Sequence, residues 1–272
     1  MVTTFNKLLD SKQLRKTILL MAKSGSAVHI GCSFSLIEIV AVLYEKFIKL
    51  NWNDFQDTER DILALSKGHG VMALYACFKE FGWITHEDLL GYFGPSNHLK
   101  GLSSVHVKGI EVSGGSLGHG LSVSVGMAKG IKNKNQNNRV YCIVGDGEMN
   151  EGSMWESLLF ASHHKLDNLT IIVDNNDFQA MGTIKDVMDL GNLKAKFDAF
   201  GFDSESVSGH DRDALFSVFS KLNNLPNGKP KVVIAKTIKG KGVSFMENNN
   251  AWHYSRLNDD LYANAIKEIE NA

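Results

Sequence analysis

The amino-acid sequence predicts an α/β protein built on a doubly wound, mainly parallel sheet with helices on both faces. Two apolar, β-branched runs, at residues 140–147 and 169–176, each end abruptly in small and oxygen-bearing residues. Residues 148–168 between them are sufficient for one crossover helix, the connection that parallel strands require. Further apolar runs at residues 61–66 and 231–236 alternate with helical patterns, and this alternation favours a parallel sheet.

Helical periodicity accounts for much of the remaining chain. The first helical segment carries an apolar stripe that includes Leu14 and Ile18, and Asp10 or Ser11 is its expected cap. The helices expected from such patterns lie at residues 10–23, 36–49, 71–81, 117–132, 194–200 and 211–223. Residues 24–35 are expected to form a loop, and residues 91–115 are expected to be irregular.

Length and composition indicate one cytoplasmic domain over residues 1–272. Hydrophobic residues make up 43% of the chain, which is ordinary for a globular protein. A net charge of -1 gives no electrostatic case for binding nucleic acid or a membrane surface. The amino terminus lacks a signal pattern, no apolar run approaches the roughly 20 residues that span a bilayer, and three cysteines fit a reducing compartment.

Asp146 and Asn176 follow the two central predicted strands, so they are expected at the same edge of the sheet. Their hard oxygen atoms suit Mg²⁺, or alternatively Ca²⁺ or Mn²⁺, rather than a softer metal. Gly145 and Gly147 remove side chains beside Asp146, and the following helix directs its positive amino end toward the same place. We therefore expect a divalent cation that bridges the protein and a diphosphate.

The Gly-Asp-Gly motif at 145–147, followed about thirty residues later by Asn-Asn at 175–176, resembles the diphosphate-binding signature of thiamine-diphosphate enzymes. An ordinary turn and helix cap followed by an unrelated Asn-Asn is the alternative. Other segments resemble the amino-terminal part of transketolases, and the resemblance runs from about residue 10 to about residue 260. These segments are residues 28–31, 64–70, 113–128, 238–248 and 252–253.

The resemblance implies roles for residues in these segments. The metal would be held by Asp146, Asn176 and the backbone carbonyl of Phe178, and the cofactor would lie against Gly115 and Leu117. Alternatively, Asn175 and Asn176 reflect turn chemistry, and residues 113–120 are only a glycine-rich helix start.

The same resemblance gives three histidines a functional interpretation. His29, His69 and His253 would face the cofactor or substrate, where an imidazole can hydrogen-bond oxygen atoms or move a proton near neutral pH. His86, His163 and His164 have no matching context. Cys32 lies near His29 in the sequence, but a nucleophilic role for it carries little weight because thiamine chemistry supplies its own carbanion.

Three acidic residues follow Asp146 closely. Glu151 is expected either to be favoured by the helix amino end or, as the resemblance implies, to lie near a subunit interface that links two active sites. Glu148 and Glu156 are expected to be solvated or capping groups.

Two departures from the family pattern concern the sugar pocket. Residues 98–106 replace a segment whose histidine contacts the sugar, and neither His98 nor His106 aligns cleanly with it. His119 stands where the family usually has glutamine. Substrate identity is therefore in doubt, whereas use of the cofactor is not.

The resemblance implies ketol transfer with thiamine diphosphate, by which a two-carbon unit passes from a ketose or ketose phosphate to an aldose acceptor. The glutamate that contacts the pyrimidine ring would come from a pyrimidine-binding domain, which the chain ends too early to contain. We therefore expect a heterotetramer of two copies of this chain and two copies of a carboxyl-terminal partner. The alternatives are a chain recruited for an unusual or modified sugar, another thiamine enzyme such as the α subunit of a 2-oxo acid dehydrogenase or a deoxyxylulose phosphate synthase, and a scaffold that has lost catalysis.

Overall fold

The computed structural model contains a five-stranded sheet in the order β1-β2-β3-β5-β4, and all four strand pairings are parallel. It describes residues 2–24, 26–225 and 227–271. The strands are β1 (Ile62–Leu65), β2 (Val140–Gly145), β3 (Leu169–Asn175), β4 (Asp203–Ser208) and β5 (Lys231–Lys236). The predicted α/β fold with a parallel sheet is confirmed.

Helices connect the strands and cover the sheet. They are α1 (Ser11–Ala22), α2 (Ile30–Phe34), α3 (Ile37–Val42), α4 (Met72–Glu80), α5 (His86–Leu90), α6 (His119–Asn133), α7 (Gly152–His163), α8 (Ile184–Val187), α9 (Leu193–Ala199), α10 (Arg212–Asn223) and α11 (Asp259–Asn271). Side chains cap several of them, as Asp10 does for α1, where it accepts a hydrogen bond from the Lys12 backbone at 2.9 Å.

Alternation along the strands separates two apolar cores, one on each face of the sheet. Tyr141 and Ile143 of β2 lie in the core that also contains residues of α1, α3, α4 and α10. Cys142 and Val144 of the same strand lie in the opposite core, against α6, α7 and α9. Every residue of β2 is buried, as expected for a strand covered on both faces.

Four sequence-based expectations require correction. The loop expected at 24–35 contains α2, and the helix expected at 36–49 is α3 followed by a π-helical turn, Leu43–Phe47. Strand β4 was missed because it lies at the sheet edge, pairs only with β5 and has few apolar residues. Helix α11 was also missed, although it carries an apolar face with buried Ala265 and Ile269.

Among the residues that the structure describes, none of the helices is both long enough and apolar enough to cross a bilayer.

Two adjacent leucines of α7 provide a matched test of this packing. Leu158 is 0% exposed in one apolar core, whereas its neighbour Leu159 is 61% exposed. We expect Leu158→Ala to lower the free energy of unfolding by about 2–5 kcal/mol, because it leaves a cavity in a close-packed core. Leu159→Ala should change it by less than about 0.5 kcal/mol. Urea denaturation of the isolated chain measures both, and equal losses would contradict the placement of α7.

Candidate active site

A cavity of about 340 Å³ lies at the carboxyl edge of the sheet, where β1, β2 and β3 end. Every residue to which the sequence assigned a catalytic, cofactor-binding or metal-binding role lines this cavity, except Glu151. Its lining is His29, Cys32, Lys67, His69, Leu102, Gly115, Leu117, Gly145, Asp146, Gly147, Glu148, Asn176, Phe178, Gln179, Ala180, Met181 and His253. Segments distant in the sequence therefore converge on one concave site.

Asp146 lies at the end of β2 and is 2% exposed. Its carboxylate accepts hydrogen bonds from the backbone of Gly147 at 2.8 Å and of Asp177 at 2.6 Å. Burial and the nearby Asp174 carboxylate raise the pKa of Asp146 to about 7. Asp177 adopts a left-handed conformation (φ 64°) directly after Asn176, so this turn holds the end of β3 against the end of β2.

Asn176 is buried, and its amide is oriented by two hydrogen bonds. Its Nδ2 donates to Asp174 Oδ2 at 3.1 Å, and its Oδ1 accepts from the Phe178 backbone at 3.1 Å. Among the described residues, no donor reaches the Phe178 carbonyl oxygen. Asp146, Asn176 and Phe178 therefore line one cavity, and their assignment as ligands of a hard cation stays a prediction.

A buried ion pair that the sequence analysis did not select lies beside these groups. The Lys67 ammonium donates to the Asp174 carboxylate, which also accepts hydrogen bonds from Ser35 and Thr237. Burial by itself would raise the pKa of Asp174, but Lys67 and these hydrogen bonds hold it below its usual range. Burial opposes the charge of Lys67 as well, and Asp174 keeps the pKa of Lys67 raised. Asp174 directly follows three buried apolar residues of β3, Ile171 to Val173, and a carboxylate at the end of a buried strand was the signal in the sequence that could have identified it.

Glu148 was expected to be either a solvated group or a capping group, and the expectation that it is solvated is wrong. Its side chain is buried and accepts hydrogen bonds from Ser66 Oγ at 2.6 Å, from the Gly118 backbone at 2.8 Å and from the Gly145 backbone at 3.1 Å. Ser66 Oγ in turn accepts from the Leu121 backbone. Glu148 therefore joins the ends of β1 and β2 to the start of α6, so its capping function operates through tertiary contacts.

The three selected histidines form one cluster. The ring centroid of His29 lies 5.1 Å from that of His69 and 5.4 Å from that of His253, and His69 and His253 are 5.6 Å apart. Burial, followed by the charges of Lys67 and Lys239, lowers the pKa of His29 to about 4. Burial and Lys239 lower the pKa of His253 to about 3, and burial lowers that of His69 well below its usual value. All three imidazoles are therefore neutral near pH 7.

Lys239 was also missed by the sequence analysis, although it lies in a segment matched to the family. Its ammonium donates to Asn250 Oδ1 at 2.9 Å, lies 2.9 Å from His253 Nδ1, and is 5.4 Å from the centre of the Phe178 ring. Burial lowers the pKa of Lys239. The two buried lysines thus flank the histidine cluster.

The remaining selected residues lie at the rim or outside the cavity. Gly115 has a φ of 143°, and an added Cβ would meet only Leu102, so the backbone there is open to a ligand. Glu151 is exposed immediately before α7 and does not line the cavity. Its expected functions stay predictions.

Residues 98–106 contribute an apolar side chain, and no histidine, to the cavity lining. His98 and His106 are exposed, and neither lines the cavity, whereas Leu102 does. His119 is exposed at the start of α6. Cys32 does line the cavity, with Sγ 3.7 Å from His253 Nδ1, but burial raises its pKa, which disfavours a thiolate nucleophile.

The chemistry of the donor set fits a hard cation that carries its own oxygen ligands. In the described ranges, no group of three His, Cys, Asp or Glu side chains could hold a metal by itself. One carboxylate, one amide oxygen and one carbonyl oxygen leave coordination positions that phosphate oxygens and water can fill. Within the described part of the chain, His29 Nδ1 and Gln179 Nε2 are buried without a hydrogen-bond partner, so both atoms are available to a ligand in the cavity.

A parallel sheet with a Gly-Asp-Gly turn and Asn-Asn at adjacent strand ends is the architecture of a thiamine-diphosphate-binding domain. Residues 12–269 match the family model described as transketolase, thiamine diphosphate binding domain, and the chain belongs to that family.

Similar proteins include several that are named as transketolase subunits. The chain is 39% identical to one of the apulose-4-phosphate transketolase subunits of Actinobacillus succinogenes, over 94% of this chain and 93% of that protein. It is 37% identical to a 6-deoxy-6-sulfo-D-fructose transketolase subunit of a Clostridium species, over 89% of this chain and 88% of that protein. Among solved structures, transketolase from Campylobacter jejuni superposes with a TM-score of 0.89 at 27% identity. The match covers 96% of this chain but 42% of that protein.

Replacing Glu148 tests whether its carboxylate holds the rim together. Glu148→Gln turns one acceptor oxygen into an amide donor that must face a backbone or hydroxyl donor, so we expect a loss of about 1–3 kcal/mol in the free energy of unfolding. Glu156→Gln, on the exposed side of α7, is the matched control and should be nearly neutral. Denaturation curves of both variants make the comparison, and a neutral Glu148→Gln would show that its three hydrogen bonds contribute nothing.

Proposed function

We propose that this chain is the amino-terminal, diphosphate-binding subunit of a two-chain transketolase that moves a two-carbon ketol unit from a ketose or ketose phosphate to an aldose. The observation that carries the proposal is the convergence of the family's motif residues on one cavity. Three relatives that match over nearly their whole length are themselves named as transketolase subunits, which favours a separate partner chain here too.

In this proposal, Mg²⁺, or Ca²⁺ or Mn²⁺ in its place, binds to Asp146, Asn176 and the Phe178 carbonyl. The diphosphate would be held against the backbone of Gly145 and Gly147, which line the cavity. The other residues that we assign to the cofactor are His69, Gly115 and Leu117, which line the cavity, and Glu151, which lies outside it and would act from the subunit interface. The cation would neutralise the buried Asp146 carboxylate, whose hydrogen bonds come only from backbone groups among the described residues.

Thiamine diphosphate supplies, when bound, the carbanion chemistry that breaks and remakes a carbon–carbon bond next to a carbonyl. The protein contributes position, hydrogen bonds and exclusion of water. His29, His69 and His253 are neutral, so each imidazole has one N–H that can donate a hydrogen bond to a substrate oxygen. His29 and His69 can also accept a proton through the other ring nitrogen, whereas Nδ1 of His253 contacts the Lys239 ammonium. We assign them the transfer of hydroxyl protons.

The partner in this proposal carries the pyrimidine-binding domain, in a tetramer of two copies of each chain. Apolar side chains are exposed around the cavity mouth and on adjacent helices, which favours a protein partner over solvent. They include Leu102, Val123, Leu159, Phe160 and Met181. The hydrogen bond between Ser122 and Ser157 places α6 and α7 side by side, so their exposed apolar residues can belong to one surface.

The structure of the wall at residues 98–106 supports a second version of the function, in which the sugar is unusual or modified. Apolar Leu102 lines the cavity, while His98 and His106 lie on the surface. Two relatives are named for such sugars, apulose 4-phosphate and 6-deoxy-6-sulfo-D-fructose. Membership of the transketolase family favours either version over a 2-oxo acid dehydrogenase chain. The three free, buried cysteines fit the proposed cytoplasmic location.

Cofactor binding is tested by thermal denaturation with Mg²⁺ and thiamine diphosphate, with and without the partner chain. A ligand at about 1,000 times its Kd stabilises a protein by about 4 kcal/mol, so Tm should rise by several degrees. Asp146→Ala should abolish the rise, while Asp260→Ala, an exposed carboxylate on α11, should preserve it. If no rise occurs even with the partner present, the scaffold alternative replaces this proposal.

The partner surface is tested by charge insertion. Leu159→Asp should weaken association with the partner chain at least about tenfold, because a carboxylate in an apolar interface lacks a counter-charge. Leu8→Asp, at another exposed leucine, is the control and should leave the affinity unchanged. Analytical ultracentrifugation gives both affinities, and ketol transfer by this chain alone at the rate of the mixture would refute the two-chain assembly.

A further inference from the structure

Lys239 is a fully buried cation for which the described residues supply no carboxylate partner. It is 0% exposed, and the ion pairs among those residues do not include it, whereas the equally buried Lys67 is paired with Asp174. An unpaired buried charge is costly unless it serves a ligand or orients a neighbouring group. The polar side chains that the Lys239 ammonium contacts are those of Asn250 and His253.

The side chain of Asn250 is itself anchored, which fixes the direction of the lysine. Its Nδ2 donates to the Ala180 carbonyl at 3.0 Å, so its Oδ1 is left to accept from Lys239. A second N–H of the same ammonium is then directed at His253 Nδ1, 2.9 Å away. An ammonium group has donors and no acceptor, so Nδ1 must be the acceptor in this contact.

A neutral imidazole carries one proton, and an accepting Nδ1 places that proton on Nε2. His253 lines the cavity, and among the described residues no protein group is a hydrogen-bond partner of its Nε2. The other neighbour of Nδ1 is Cys32 Sγ at 3.7 Å, a weak donor that would not hold the tautomer as firmly.

We propose that Lys239 is a positioning residue that locks His253 in the Nε2–H tautomer, so that His253 presents a hydrogen-bond donor to a substrate oxygen. This inference rests on the proposed function for the identity of the substrate, but the tautomer itself is a property of the chain alone. The lysine also places a positive charge behind the imidazole, which favours an oxygen that gains negative charge during the reaction.

The direct test is ¹⁵N NMR of the chain labelled at histidine, with His253→Gln used to assign the resonances of His253. The wild-type protein should show a protonated Nε2 and an unprotonated Nδ1 at His253. Lys239→Met, which is close to lysine in shape but has no donor, should remove that preference. Lys241→Met is the matched control: Lys241 pairs with Glu247 at the surface, and its loss should leave the spectrum of His253 unchanged.

Activity with the partner chain separates positioning from stability. Lys239→Met should lower kcat by at least about tenfold, the scale of one acid–base contact, and leave the Kd for thiamine diphosphate within about twofold. The same Lys239→Met change is then made in a His253→Gln background, where the glutamine amide can donate a hydrogen bond whether or not Lys239 is present. There it should lower kcat by less than about threefold, because Lys239 and His253 act as one unit. Equal losses in both backgrounds would overturn the proposal.

The wild-type spectrum decides the matter even if Lys239→Met fails to fold. A proton on Nδ1 of His253 in the wild-type protein overturns the inference without any variant. If His253 has the Nε2–H tautomer but the chain binds no thiamine diphosphate, the proposed function is refuted. The assignment of Lys239 as the residue that sets this tautomer then still holds.

Discussion

The parallel pairing of β2 with β3 determines where the proposed metal-binding groups of the candidate active site lie. Their register places Gly145 beside Asp174, so the residues that follow each strand emerge at one edge of the sheet. Asp146 follows Gly145 directly and Asn176 follows Asp174 by two residues, and the Asp177 backbone donates to the Asp146 carboxylate across the two ends. A shift of one residue would turn the side chains of β3 to the opposite face and separate these groups. The metal-binding hypothesis therefore depends on strand register more than on any single side chain.

Buried charge is the second organising feature, and its distribution is unequal. Lys67 and Asp174 neutralise each other, and Asp174 also orients the amide of Asn176. Asp146 and Lys239 lack such partners within the described chain. Asp146 lines the cavity and Lys239 contacts the cavity residue His253, so a cation and an oxygen-rich ligand bound there would complete them. The cost of these two unpaired groups is the physical reason to regard the cavity as a binding site rather than as a packing defect.

The sequence was sufficient to predict those features of the fold and site that depend on short local motifs and on the spacing of the strands. Asp146, Asn176 and the three histidines could be selected because each lies in a short segment with a distinctive pattern, and all of them line the cavity. Glu148 could not be placed, because its three hydrogen bonds come from segments up to 82 residues away. Strand β4 was missed because its polar pattern is typical of loops as well as of edge strands.

Anomalous diffraction from crystals grown with Mn²⁺ and thiamine diphosphate tests the central claim most directly. We expect one strong peak at about 2.1 Å from a carboxylate oxygen of Asp146 and from Oδ1 of Asn176, with the Phe178 carbonyl and phosphate oxygens completing the coordination. Binding would require Asn176 Oδ1 to give up its hydrogen bond from the Phe178 backbone or to share it. A peak elsewhere, or one with Asn176 turned away from the ion, would contradict the account.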